Sequence, residues 1–519
     1  MRGLQDMAKA RNPRILIVTP EITYLPDGMG NLAGKMSAKA GGMADVSASL
    51  VSALFELGAD VHVALPHYRR MFHVETAQLV ANELRKYKSH LSDERIHLAE
   101  DRCFYYRDTV YDRGNGNVKL ALAFQREVIN NIIPHVQPDL IHCNDWMTGL
   151  IPAASRRMGI PCLFTVHNIH TQKLNLAAVE DAGIDAAEFW MHLYYDYPPY
   201  NYEESRDRNA IDLQASGCFA AHFINTVSPT FLKEIVNGWH SFIPDSIRGE
   251  IRNKFNAGCA AGILNAPDPS DDPATDDKIP FKYGPANHRE MKRQNKLALQ
   301  HALGLDEDAD RALFFWPSRL DPVQKGPQLL TDITYKFLEK HPDAQIAVIA
   351  NGPYQQPFWD IREFHGIEGR LGVRNFDGRL SQLGFAASDF TLMPSLFEPC
   401  GLPQMQAPIY GSLAVAHNTG GLHDTVEPLD WNASVGNGFV FDTYDSNGLM
   451  WAMDQAMDFF HLGADVRGRE IARIMTESRN RFNHHACAQE YINLYERMLD
   501  RPLVRGEGSE DGQREHGGK

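Results

Sequence analysis

The sequence predicts a two-domain α/β protein, each domain a parallel sheet wrapped by helices. Three observations carry that expectation. Apolar, β-branched runs alternate with helical stretches through the first half of the chain. The alternation stops at a segment rich in Pro and Asp, residues 265–285, and restarts at Ala312. Glycine-bearing turns lead from strand to helix in both halves, at Gly41-Gly42 and at Gly420-Gly421. At 519 residues the chain is too long for one core, and the break falls where two domains of ordinary size would meet.

The first strand is residues 14–19 (RILIVT), a buried β-branched run. A long loop, residues 20–40, follows it and ends in Lys39-Ala40-Gly41-Gly42, after which a helix runs to about Leu57. Further strands are expected at 61–65, 119–124, 139–142, 162–166 and 223–227. A basic amphipathic helix, about 287–303, leads out of the Pro/Asp-rich segment. The second half then offers a strand at 312–317, a helix near 327–340 and strands at 345–350, 390–393 and 413–416, with helices at 447–460, 467–482 and 484–501. Domains are expected at 14–262 and 263–480. A C-terminal helix, 481–503, packs back on the first of them, and a polar tail without apolar period, 504–519, is expected to be disordered.

Composition narrows the function classes. With 43% hydrophobic and 23% charged residues this is a globular protein. No apolar run reaches the ~18 residues of a membrane span, and residues 1–14 lack the apolar core of a secretion signal. A net charge of −15 disfavours nucleic acid and anionic membrane surfaces as partners, so an anionic ligand needs local cations. The seven cysteines are scattered and form no C-x-x-C pair, which fits a reducing cytoplasm and offers no zinc site.

Where a strand gives way to a glycine turn and a helix, several N–H groups converge and the helix N-terminus adds partial positive charge. That is the chemistry of a phosphate site. Gly41-Gly42 has Lys39 beside it; Gly401 and Thr419-Gly420-Gly421 form the counterpart in the second half, with Glu398 as an acceptor for sugar hydroxyls. Two halves of this kind can close a cleft around one phosphorylated ligand. Ordinary turn glycines and a helix-capping Glu398 are the plainer reading of each motif taken alone.

Taken together, the stretches resemble the glycogen and starch synthase family. The matching residues are Lys39, Gly41, Gly42, Ala44, Asp45 and Val46, then Asp145-Trp146, Val166-His167-Asn168 with Gln172, and Thr226-Val227-Ser228-Pro229. They continue with Gly262-Ile263-Leu264-Asn265, Ser318-Arg319-Leu320, Gln324-Lys325-Gly326, Phe397-Glu398-Pro399-Cys400-Gly401-Leu402 and Thr419-Gly420-Gly421-Leu422 with Asp424. The resemblance spans about residues 14–500. It implies two Rossmann-like domains facing across a cleft (the GT-B type), no cofactor and no metal.

It also implies ADP-glucose or UDP-glucose as donor, an α-1,4-glucan as acceptor, and retention of anomeric configuration. On this resemblance Lys39 meets the donor beside the amides of Gly41 and Gly42, and Asp145, His167 and Asn168 line the glucosyl side. Arg319 and Lys325 neutralise the departing diphosphate. Glu398 grips glucose hydroxyls, with Cys400, Gly401, Thr419, Gly420 and Gly421 nearby, and Phe376 stacks on the base. The chain departs from the family in one extra residue between Arg319 and Lys325, in the long loop 20–40, and in Leu396 and His417 where arginine is common.

Other readings stand beside these. Asp306, Asp308 and Asp310 have the D-x-D spacing of some metal-binding transferases, but a solvated charge run explains them. His142, His170 and His484 are expected to be structural or cleft-lining, and Cys400 to act through its backbone. A same-fold transferase with another donor or a small acceptor, or a catalytically weak glucan-binding homologue, are the alternatives. A dinucleotide oxidoreductase fails because no G-x-G-x-x-G follows the first strand.

Overall fold

A computed structural model describes residues 11–30, 33–72, 95–111 and 116–504. The tail expected from residue 504 lies outside the described residues beyond Val504. The chain divides into two compact units. Met1–Val227, Glu234–Ile263 and Cys487–Lys519 make the first; Ser228–Lys233 and Leu264–Ala486 make the second.

The first unit is built on a seven-stranded sheet ordered β3-β2-β1-β4-β5-β8-β9. Its strands are β1 (Arg14–Val18), β2 (Asp60–Pro66), β3 (Ile96–Ala99), β4 (Leu140–Asn144), β5 (Cys162–Val166), β8 (Phe223–Thr226) and β9 (Ala260–Gly262), all paired in parallel. Two short strands, β6 (Lys173–Leu174) and β7 (Ile211–Asp212), pair antiparallel outside that sheet. β1, β4 and β5 are buried along almost their whole length, which is why they read as continuous apolar runs.

The strand expected at 119–124 is instead part of a helix, Gly116–Glu127. Five of the six residues 119–124, Lys-Leu-Ala-Leu-Ala, are strong helix formers, and Leu120 through Gln125 are all buried. A short, fully buried apolar run carries no period to separate helix from strand. β3 and β9 escape the sequence reading because they are short and poor in β-branched residues.

A buried polar chain ties the sheet to the C-terminal helix His484–Leu499. Tyr495 donates to His142 Nδ1 (2.7 Å), and His142 Nε2–H donates to Thr165 Oγ1 (2.5 Å). Thr165 donates in turn to Asn225 Oδ1 (2.5 Å), whose Nδ2 reaches the Tyr491 hydroxyl (3.0 Å). The direction of each bond fixes the next. Burial pushes the His142 imidazole down to about 3, so it is neutral and serves as a relay of hydrogen bonds.

The second unit has a six-stranded parallel sheet ordered β12-β11-β10-β13-β14-β15. The strands are β10 (Ala312–Trp316), β11 (Ala344–Ile349), β12 (Leu371–Arg374), β13 (Phe390–Met393), β14 (Leu413–His417) and β15 (Gly438–Phe441). Residues 265–285 lack regular elements, as their composition implies, yet they are not a loose linker. Ile279 and Tyr283 join the hydrophobic core, Tyr283 donates to the Tyr410 carbonyl (2.8 Å), and Asp276 accepts from the Tyr410 hydroxyl (2.8 Å).

Tyr495→Phe removes the donor to His142 Nδ1 and leaves a buried acceptor unsatisfied. The expected loss is about 1–3 kcal/mol of unfolding free energy in urea titrations of the full chain. A change within ~0.5 kcal/mol, the range of ordinary surface substitutions, would contradict the relay.

Candidate active site

In each sheet one strand pair marks the place where the connections part. After β1 the chain crosses to β2, and after β4 it crosses to β5 on the other side. The loops leaving β1 and β4 therefore diverge and open a crevice at the carboxyl ends of the strands. β10 and β13 form the same kind of switch point in the second unit.

At the first crevice stand Glu21 and Lys39 beyond β1, Asp145 at the end of β4, and His167 and Asn168 at the end of β5. Asn144 fastens the loops: its Nδ2 donates to the Val18 carbonyl (3.1 Å), and its Oδ1 accepts from His167 Nε2–H (2.8 Å). The imidazole tautomer follows. With Nε2 carrying the proton, Nδ1 presents a lone pair that has no partner among the described residues, and burial pushes the ring down to about 4. His167 is thus a neutral acceptor suited to a hydroxyl.

Asp145 is a non-glycine residue at φ 57°, ψ −180°, a backbone state that persists only where the surroundings impose it. What imposes it is its own carboxylate. Oδ1 accepts from the His167 N–H (2.8 Å) and the Asn168 N–H (3.4 Å), and Oδ2 accepts from Asn168 Nδ2 (2.7 Å). Burial raises its pKa to about 7 against the opposing pull of those donors.

The cradle expected at Gly41-Gly42 holds a carboxylate of the chain itself. Glu21 Oε2 accepts from the amides of Ala40 (2.6 Å) and Gly41 (3.0 Å), and burial raises its pKa while those amides lower it. The Gly41 N–H is therefore engaged rather than open. Lys39 pairs with Asp45 (2.6 Å), which Thr23 also contacts (2.6 Å). Sequence reasoning missed Glu21. The visible signal for Glu21 was an acidic residue three positions past a buried strand, ahead of a glycine pair.

At the second crevice the extra residue between Arg319 and Lys325 is absorbed in a turn. The Lys325 N–H donates to the Asp321 carbonyl (2.8 Å), and the Asp321 carboxylate accepts from the Val323 (2.9 Å) and Gln324 (3.4 Å) amides. Gly326, at φ +73°, then brings the chain against the β13 loop: a Cβ there would lie 2.2 Å from the Pro394 carbonyl oxygen. The Leu396 N–H closes the contact on the Gln324 carbonyl (2.8 Å).

That geometry delivers Lys325 Nζ to Glu398 Oε2 at 2.5 Å, an ion pair with both side chains largely buried. Ser395 donates to the same oxygen (3.0 Å), leaving Oε1 without a partner among the described residues. His417, where arginine is common, contacts the Ser395 carbonyl (2.8 Å) and lies against the rings of Phe441 and Tyr444. It props the loop that carries Glu398.

Arg319 is exposed, and its guanidinium makes no hydrogen bond or ion pair among the described residues. Gly421 donates its amide to the Glu398 carbonyl (2.9 Å), and a Cβ on it would sit 2.0 Å from the Cys400 carbonyl oxygen, so these loops are in close contact. Gln404 donates to the carbonyls of Cys400 (2.9 Å) and Gly401 (3.1 Å). Thr419 is the N-cap of the helix Gly420–Thr425. Phe376, at the end of β12, is 55% exposed and holds its backbone N–H on Asn351 Oδ1 (3.0 Å).

The structure thus gathers Lys325, Glu398, Cys400, Gly401, Thr419, Gly420 and Gly421 in the second unit, with Arg319 on the same loop as Lys325 and Phe376 beyond β12, two strands away from β10. In the first it gathers Lys39, Gly41, Gly42, Asp145, His167 and Asn168. Sequence reasoning missed Ser395, and it quoted Asp424 without a role. Asp424 accepts from Ser228 Oγ (2.5 Å), the Thr230 N–H (3.0 Å) and Thr230 Oγ1 (2.7 Å), joining two of the quoted motifs to each other. The D-x-D run is consumed by arginines: Asp306 and Asp308 face Arg311, and Asp310 faces Arg293. Among the described residues no three His, Cys, Asp or Glu groups cluster as a metal site.

Residues 14–243 match the starch synthase catalytic domain family, and residues 303–459 match the glycosyl transferases group 1 family. The chain is 30% identical over 515 residues to a glycogen synthase of Moorella thermoacetica, covering 94% of this chain and 97% of that one. It is 31% identical over 505 residues to a glycogen synthase of Thermotoga petrophila, covering 89% and 96%. In fold it is similar to the catalytic domain of starch synthase IV from Arabidopsis thaliana, solved with ADP and acarbose (TM-score 0.74, 24% identity, 95% of this chain and 100% of that one).

Gly326→Ala forces a methyl group into the Pro394 carbonyl and strains a left-handed residue. Thermal unfolding should show a loss of about 1–3 kcal/mol. An unchanged midpoint would mean that the two loops are not held together as described.

Proposed function

Because the chain belongs to the starch and glycogen synthase family of glycosyltransferases, we propose that it lengthens an α-1,4-glucan with glucose from ADP-glucose, retaining the anomeric configuration. The observation that carries this reading is the second crevice: a lysine–carboxylate pair at the switch point, with an arginine, unpaired among the described residues, on the same loop as the lysine. A nucleoside diphosphate leaves as charge develops on it, and preorganised cations stabilise that charge without a metal. Arg319 and Lys325 do this. The Lys325 ammonium gives one hydrogen to Glu398 and keeps others for phosphate oxygens.

Glu398, fixed by Lys325 and Ser395 through Oε2, offers Oε1 to glucose hydroxyls. Phe376 presents its exposed ring to the adenine base, as aromatic faces do. In the first unit the neutral His167 accepts a hydroxyl at Nδ1, and its backbone carbonyl supports the oxocarbenium-like transition state. Asp145 holds His167 and Asn168 in register. The departing phosphate takes the acceptor's proton in a front-face displacement. Adenine as the base rests on the ADP in the starch synthase IV structure. Seven free thiols fit work in the cytoplasm.

The direct test is nucleotide release from ADP-glucose and UDP-glucose, each with and without glycogen. Glycogen-dependent ADP release at the higher kcat/KM is expected. Faster turnover of UDP-glucose would overturn the donor, and glycogen-independent release would overturn the acceptor.

Lys325→Ala should slow transfer by on the order of a hundredfold or more, the scale of losing one preorganised donor. It should also cost stability, because it leaves Glu398 buried without its partner. The double variant Lys325→Ala/Glu398→Gln should regain stability but not activity. Wild-type turnover in Lys325→Ala would remove the lysine from the mechanism.

The donors around Asp145 all suit its ionised form. With a pKa raised to about 7, that form is populated as pH rises through neutrality and lost as pH falls below it. Transfer rate should therefore drop on the acid side of about pH 7. A flat profile down to about pH 5 would show that Asp145 works in either state.

A further inference from the structure

Arg319, Asn351 and Phe376 fall on one line across the second sheet. Trp316 of β10 pairs with Val348 of β11, and Val348 pairs with Val373 of β12. Three residues beyond that row, the three strand ends carry Arg319, Asn351 and Phe376. Arg319 and Phe376 have roles in the donor site proposed above, and Asn351 between them has none. Resting on that donor site, we propose that Asn351 holds the ribose of the donor nucleotide.

Contacts past the strand ends keep the line intact. The Leu320 N–H, next to Arg319, donates to the Asn351 carbonyl (3.3 Å). The Phe376 N–H donates to Asn351 Oδ1 (3.0 Å). Gly352, at φ +141°, lets the loops after β10 and β11 touch: a Cβ there would lie 3.1 Å from the Leu320 carbonyl oxygen. Gln355 adds a second tie towards β12, its Nε2 donating to the Ala350 carbonyl (3.2 Å) and to Asn375 Oδ1 (3.3 Å). Asn351 thus joins the loop of Arg319 through its backbone and that of Phe376 through its side chain.

The order of the three residues matches the order of parts in a nucleoside diphosphate. Phosphate comes first, then ribose, then base. Neighbouring strands lie ~4.8 Å apart, so Arg319 and Phe376 are separated by two such steps. With the diphosphate over β10 and the base over β12, the sugar that links them lies over the end of β11. Those carboxyl ends form the edge where such sheets bind ligands.

The side chain has the chemistry a sugar needs. A backbone N–H can only face the amide oxygen, so the Phe376 contact fixes which way the Asn351 amide points. Its Nδ2 is then the atom left over, on an exposed residue, with no partner among the described residues. Two N–H hydrogens are open to ribose oxygens, and Oδ1 keeps a second lone pair for a hydroxyl hydrogen. Being uncharged, the amide does this without repelling the diphosphate, as a carboxylate at the same place would.

The test is titration calorimetry of ADP, 2′-deoxy-ADP and 3′-deoxy-ADP against the full chain and against Asn351→Ala, a change at an exposed position outside the core. The parent should bind at least one of the deoxynucleotides about three- to tenfold more weakly than ADP, the range of one hydrogen bond. In Asn351→Ala that difference should vanish, because the partner of the missing hydroxyl is gone. A residue that served only to hold Phe376 would behave otherwise: its loss would weaken all three ligands equally and leave the preference for the hydroxyl in place. That result, or a parent indifferent to both hydroxyls, would overturn the proposal. Arg319→Ala and Phe376→Ala keep the donor site itself in view. If ADP binds and neither change weakens it, the site fails and the ribose contact with it; if both weaken it while Asn351→Ala keeps the hydroxyl preference, the ribose contact alone fails.

Discussion

A parallel sheet brings every strand's carboxyl end to one edge, and the order of crossovers decides where the loops part. In this protein that constraint acts twice, at β1/β4 and at β10/β13. Apart from Phe376 beyond β12, the side chains of the two candidate sites hang from strand ends at or next to one of those pairs. The strands beneath them, such as Cys162–Val166 and Ala312–Trp316, are wholly buried, and Asp145, Glu398 and Thr419 are themselves buried where those sheets end.

The second crevice shows how an insertion can be neutral to a site. A residue added between Arg319 and Lys325 would move the lysine along the chain, yet Asp321 gathers the surplus into a turn and Gly326 resets the backbone. The ammonium reaches Glu398 all the same. A buried pair of this kind is poor support for stability, since removing both charges from water costs about what their attraction returns. Its value lies in orientation, since it leaves one carboxylate oxygen and part of the ammonium facing outward in fixed directions.

Strands and helices with a clear period were legible in the sequence. Pro327–Lys340 and Phe390–Met393 match the expected ranges residue for residue. The helix Gly116–Glu127 was not, because six buried positions in a row erase the distinction between periods of 2 and 3.6. The site residues were legible chiefly through the order of the motifs over the whole length, and their partners were not. Glu21 lies 20 residues from the Gly41 amide it occupies, and Ser395 is an ordinary serine until it is seen donating to Glu398. Hydrogen bonds across a loop leave no spacing to read. In the Pro- and Asp-rich segment composition signalled the absence of helix and strand, and said nothing of whether Tyr283 is buried.

The relay from Tyr495 through His142 to Tyr491 closes the first unit with residues translated after the whole of the second. His142 waits for a partner 353 positions downstream. At roughly 5–20 residues per second on the ribosome, that delay is about 20–70 s. Within that interval the second unit, whose segments run from Ser228 to Ala486, is translated in full. The half of the protein that is translated first is the half that is finished last. Through that interval the polar row His142, Thr165 and Asn225 lacks the two tyrosine hydroxyls that close it at either end.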